Sequence, residues 1–230
     1  MKNKSFLFLF AALLLCSCTE KKQIAPVPVR EDIEWMDVWL PNTNDTELPR
    51  VLVIGNSITR SYYPQVNHLL KGKAYVGMLC TSKSLGDPAF LQEIDLILKN
   101  DKYDVVHFNN GLHGWGYTEE QYAQSFPDLL RTLKTGAPTA KLIWATTTPI
   151  RQGDGMSDFD PRTDRVIERN KIASQAIAGQ NVVTNDLFTL VIDHPEYYAG
   201  GDGTHLVESG VAELAKQVTN VITQAIQDIK

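Results

Sequence analysis

The stretch Val51-Leu-Val-Ile54 followed by Gly55 constrains this chain more than any other. Four apolar residues in succession, with no polar alternation, suit a strand buried on both faces, as in the middle of a parallel sheet. Similar runs recur at Ala74–Leu79, Asp104–Phe108, Lys141–Ala145 and Asn181–Thr184. Helical patterns lie between them. Asp87-Pro88 supplies a cap and a first-turn proline for a helix through Phe90, Ile94 and Leu98. Thr118-Glu-Glu-Gln121 has the spacing of a capping box, and Pro127 predicts a kink in the helix that follows. Arg165–Ala178 reads as a further helix. The last helix has one apolar face of Val211, Leu214, Ala215, Val218, Ile222, Ala225, Ile226 and Ile229. Strands that alternate with helices predict an α/β chain: a three-layer α/β/α sandwich around a five-stranded parallel sheet. The segment Ile33–Pro41 is expected to cover a sheet edge, with Trp35 and Trp39 as packed anchors.

The N-terminus is read as a targeting segment, residues 1–17. Lys2 and Lys4 precede the apolar run Phe6–Leu15, which is too short to span a bilayer as a helix. Leu15-Cys-Ser-Cys18 resembles the lipobox of bacterial lipoproteins. Cys18 is thus expected to be lipidated, with Cys16 as the alternative. Residues 18–31 then form a tether with polyproline bias around Ala25-Pro-Val-Pro-Val29, and 32–230 form one domain. This places the chain in the bacterial cell envelope, touching membrane only through its anchor.

The formal charge is -5, and loss of Lys2 and Lys4 with no acids takes it to about -7. An acidic chain without a basic cluster argues against nucleic-acid partners. Cys80 is the only cysteine of the proposed domain, so no disulfide forms within it. No Cys/His cluster has zinc spacing, and neither metal nor organic cofactor is expected.

Ligands of parallel sheets bind beyond the carboxyl ends of the strands. Ser57 follows the first predicted strand, at a Gly-Asn-Ser turn that opens a helix. Gly86 follows the second and Asn109 the third. Asp202-Gly-Thr-His205 follows the fifth. A serine at a turn is by itself as well explained by helix capping. Asp-x-x-His pairs are common as structural hydrogen bonds. Together they supply a nucleophile (Ser57), a base (His205) and a carboxylate to orient the base (Asp202). Oxyanion donors are then sought at the Ser57 and Gly86 N–H groups and the Asn109 side chain, with Asn110 as the alternative. His107, inside a strand, reads as a core histidine.

These blocks, Gly-Asn-Ser57-Ile, Gly86, Asn109-Asn-Gly-Leu-His113 and Asp202-x-x-His205, resemble those of the SGNH hydrolases, or GDSL esterases, in the same order. Two departures stand out: Asn56 replaces the usual Asp, and the third block lacks Gly-x-Asn-Asp. The resemblance implies a flavodoxin-like fold and a serine esterase acting through an acyl-enzyme. With the lipobox it implies a carbohydrate O-acetylesterase, the alternatives being a lipase, lysophospholipase or thioesterase with the same triad, or a non-catalytic glycan-binding lipoprotein. His113, Trp115 and Tyr117 are candidates for an aromatic wall beside a sugar. Arg151 either meets an anionic or hydroxylated substrate or is a surface charge.

Overall fold

The computed structural model describes residues 28–198 and 201–229. The targeting segment, Cys18 and most of the tether lie outside the described residues. One sheet of six strands organises the domain, in the order β1-β3-β2-β4-β5-β8. Its members are β1 (Met36–Trp39), β2 (Arg50–Gly55), β3 (Tyr75–Thr81), β4 (Val105–Phe108), β5 (Lys141–Ala145) and β8 (Val182–Asn185). Five of them are parallel, as the sequence predicts. The sixth corrects the expected count. Ile33–Pro41 contributes β1, which pairs antiparallel with β3, Met36 opposite Thr81 and Trp39 opposite Met78. Its backbone thus satisfies the open edge of β3. Trp39 is no packed anchor: it is 62% exposed, since an edge strand has a neighbour on one side only.

Side-chain alternation along β2 divides the core. Val51 and Val53 pack with α1 (Ser57–Leu69), α5 (Leu187–Val191) and α6 (Glu208–Gln227). Leu52 and Ile54 pack with α2 (Pro88–Leu98), α3 (Glu119–Gly136) and α4 (Arg162–Ile177). This is the period-two consequence of a pleated strand covered on both faces. α2 is capped by Asp87, whose side chain accepts from Ala89 N–H. α3 carries the predicted capping box at Thr118 and Gln121 and continues through Pro127 to Gly136. α4 starts three residues earlier than its periodicity suggests, because the Asp160 carboxylate accepts from the Arg162 N–H at 2.8 Å. A short hairpin, β6 (Arg151–Gln152) and β7 (Asp158–Phe159), has no counterpart among the predicted elements.

The chain runs from β2 outward to β3, then crosses to β4 on the other side of β2. This reversal splays the loops after β2 and β4 apart and opens a crevice at the carboxyl edge. His107 of β4 lies fully buried beneath it. Gln217 Nε2 donates to Asn185 Oδ1 at 3.0 Å, so the Asn185 amide nitrogen faces His107 Nε2, also at 3.0 Å. The ring is therefore neutral, with its proton on Nδ1, which has no partner among the described residues. Burial pulls its pKa from 6.5 down to about 4. In the unfolded chain the same residue titrates near its ordinary value. Stability is full above that value and is lost as the pH falls toward 4, because only the unfolded state binds the proton. The loss amounts to about 3 kcal/mol. Urea midpoints measured from pH 7 to 4 should fall accordingly and fall less in His107→Gln; equal slopes would exclude the assignment.

Candidate active site

Ser57 is the first residue of α1, placed there by the sharp exit of the chain from β2. Gly55 is needed at this exit, since a Cβ there would lie 2.1 Å from Thr59 Oγ1. Asn56 caps the helix, its side-chain oxygen accepting from Ile58 N–H at 2.9 Å. Its amide nitrogen donates to Asn109 Oδ1 at 3.4 Å, a weak bond across the crevice. A carboxylate at position 56 could cap the helix but could not donate to Asn109, which gives the departure at this position a structural use.

His205 Nε2 lies 2.8 Å from Ser57 Oγ, and His205 Nδ1 lies 2.7 Å from Asp202 Oδ2. The three side chains form one hydrogen-bonded chain across 148 residues of sequence. Asp202 Oδ1 also accepts from the Thr204 N–H at 2.9 Å and the His205 N–H at 2.8 Å. Partial burial pushes the Asp202 pKa up. The His205 N–H, its imidazole and the Thr204 N–H outweigh that and hold it at about 2. An ionised Asp202 fixes the proton on His205 Nδ1 and leaves Nε2 to accept from the serine.

The loop that carries Asp202 and His205 is held by Arg151. The Arg151 N–H donates to Gly203 O at 2.8 Å. Gly203 sits at φ +76° with its α-carbon against the Arg151 backbone, and a Cβ there would fall 1.8 Å from the Arg151 carbonyl oxygen. The Arg151 guanidinium donates to the carbonyls of Met156 and Ile192 and lies over the Phe159 ring. Both sequence expectations for Arg151 are corrected here. It is buried, with its two terminal nitrogens on carbonyls and Nε without a partner among the described residues, so it neither contacts a substrate nor forms a surface charge.

The expected oxyanion donors differ from one another. The Ser57 N–H belongs to the first turn of α1 and has no helical partner. The Gly86 N–H points to Ser84 Oγ at 3.3 Å, and the α-carbon of Gly86 abuts the Tyr117 ring. Asn109 donates both amide hydrogens inward, to Ala145 O at 2.8 Å and Thr147 Oγ1 at 3.0 Å. An oxyanion would have to take one of them from the Thr147 hydroxyl. Asn110, the alternative, spends its amide on Lys83 O and Leu85 N–H and so shapes the loop after β3.

The expected aromatic wall is not formed as such. Tyr117 is buried, and its hydroxyl accepts from Val29 N–H at 2.9 Å. His113 is held by Glu31 at 2.9 Å. Trp115 is half-buried, and the guanidinium carbons of Arg162, Arg165 and Arg169 lie 4.7 to 5.7 Å from its ring centre. Arg169 was not singled out from the sequence, yet it organises this loop. It is buried and donates to the carbonyls of Gly111, His113 and Gly114, beside Glu119 at 3.2 Å. Its signal was present: Arg169 occupies the apolar stripe of α4 with Val166, Ala173 and Ile177. Cys80 is a free thiol buried in β3, opposite Gly55 of β2. Among the described residues no group of side chains is suited to hold a metal. A cleft of about 910 Å³ lies at the amino edge of the sheet around Arg50, Tyr103 and Pro138, the edge opposite Ser57.

No known family model matches the sequence. No curated protein matches it either. Solved structures do. A carbohydrate esterase family 3 protein from Talaromyces cellulolyticus superposes with a TM-score of 0.63 at 18% identity, over 80% of this chain and 100% of that one. A GDSL-like lipase from Bacteroides thetaiotaomicron gives 0.60 at 15%, over 76% and 88%. A variant of an acetyl-xylooligosaccharide esterase from Geobacillus gives 0.59 at 18%, over 75% and 93%. The chain has the SGNH hydrolase fold. Within that fold the geometry around Gly203 sets the position of the base. Gly203→Ala should slow labelling of Ser57 by a serine-directed fluorophosphonate by about tenfold or more, since small displacements of a reacting pair cost that much. Labelling at the original rate would show that Gly203 does not set the position of His205.

Proposed function

We propose that this protein is a serine esterase that removes acetyl groups from glycans. The observation that carries the reading is the unbroken relay Asp202–His205–Ser57 at 2.7 and 2.8 Å. In this mechanism Ser57 Oγ attacks the acyl carbon while His205 Nε2 takes its proton. His205 returns that proton to the leaving alcohol, and Asp202 stabilises the imidazolium between the two steps. The Ser57 N–H, with the loops of Gly86 and Asn109, stabilises the oxyanion. Water activated by His205 then releases acetate and regenerates the serine. The glycan part of the reading is supported by two of the fold relatives, which are esterases of carbohydrates. Wild-type protein should hydrolyse 4-nitrophenyl acetate, and Ser57→Ala and Asp202→Asn should each lose on the order of a thousandfold in kcat. Undiminished turnover by Ser57→Ala would end the proposal.

The envelope location belongs to the same reading. Lipid at Cys18 would keep the enzyme where polymeric glycans are met. Cells expressing the full chain should incorporate labelled palmitate into it and release it to the soluble fraction as Cys18→Ala. Labelling that persists in the variant would reject this site.

A further inference from the structure

One cation at the catalytic edge is left over by the reading above. Arg60 lies one turn beyond Ser57 on α1, its N–H bonded to Asn56 O at 2.9 Å. Residues three apart share a helix face, with Cβ atoms about 5–6 Å apart. Helical side chains also lean toward the helix N-terminus, which here carries Ser57. The guanidinium has a fixed seat, with its central carbon 4.7 Å from the centre of the Trp35 ring. Trp35 is itself at the carboxyl edge of β3, since it exchanges backbone and hydroxyl hydrogen bonds with Ser82 at 2.9 and 3.0 Å. The edge of His113 contacts the same ring from the loop after β4. Arg60 therefore stands one turn along α1 from the nucleophile, seated on a ring that borders the loops after β3 and β4.

Arg60 forms no ion pair among the described residues. Arg50, Arg131, Arg162, Arg165 and Arg169 each have a carboxylate within 4.0 Å; Arg60 has none among the described residues. The neighbouring Glu34 is taken by Lys83 at 2.9 Å. An exposed guanidinium, fixed in place and lacking an anion, matches a planar carboxylate in bidentate fashion. The stack on Trp35 lowers the entropy lost when that pair forms.

We propose that Arg60 is a specificity residue that binds a carboxylate close to the scissile ester, so that the favoured substrates are O-acetylated uronate glycans rather than neutral ones. This rests on the esterase reading and names its substrate class. The measurement is kcat/KM for acetate release from O-acetylated galacturonate oligosaccharides against O-acetylated xylo-oligosaccharides of equal length. Wild type should favour the uronate series by about tenfold, an ordinary gain for one charge pair at a rim. The ratio should fall toward one in Arg60→Gln and recover in part in Arg60→Lys, which keeps the charge but loses the planar fork. A ratio that Arg60→Gln leaves unchanged, or a wild-type ratio at or below one, would overturn the proposal. Calorimetric binding of the same oligosaccharides to Ser57→Ala tests the contact without turnover. Tighter binding of the uronate series, lost in Ser57→Ala/Arg60→Gln, is the expected result, and equal binding of both series overturns it. If 4-nitrophenyl acetate hydrolysis survives Ser57→Ala, the esterase reading fails on its own and the binding comparison still decides the role of Arg60.

Discussion

Parallel strand pairing is the constraint from which the rest of this molecule follows. Parallel strands cannot be joined by tight turns, so each needs a crossover that returns the chain to the starting edge. In this chain the crossovers are helices laid on both faces, which is why Val51–Ile54 is apolar without alternation. The same requirement sends every strand out at one edge, and the loops after β2, β3 and β4 meet there. The reversal of direction at β2 then separates two of those loops and leaves room for chemistry between them.

Within that frame, the reacting groups are positioned by backbone contacts and buried cations more than by one another. Ser57 is set by the turn at Gly55 and the Asn56 cap. Asp202 and His205 are set by the close approach of Gly203 to the Arg151 backbone, where no side chain fits. The loop after β4 is gathered around the Arg169 guanidinium, which donates to three of its carbonyls, and Gly111 O and His113 O have no other donor among the described residues. Both arginines are internal, and each replaces several water contacts with fixed ones. Arg60 differs from both in being exposed, with its guanidinium seated on Trp35 and not on buried carbonyls.

The ionised Asp202 shows how local hydrogen bonding can outweigh partial burial. Two backbone N–H groups and the imidazole converge on one carboxylate, so its charge is retained although solvent is partly removed. His107 shows the opposite balance in the same sheet. With no partner for Nδ1 among the described residues and Asn185 donating to Nε2, burial keeps the ring neutral.

Much of this was legible along the chain. The five parallel strands, the caps at Asp87 and Thr118 and the apolar face of α6 are local, set by the period of hydrophobicity and the hydrogen bonds of single turns. Ser57, Asp202 and His205 could be named because each lies in a short motif just beyond a strand end. What only the tertiary structure decided depends on partners distant in sequence. Met36–Trp39 became a sixth strand because the edge of β3 was open. Arg151 turned inward because the carbonyls of Met156 and Ile192 converge on it. Asn109 aimed its amide at Ala145 and Thr147. The sequence determined which residues stand at the carboxyl edge; which of them face a ligand, and which are spent holding the edge together, is set by long-range contacts whose geometry no local pattern encodes.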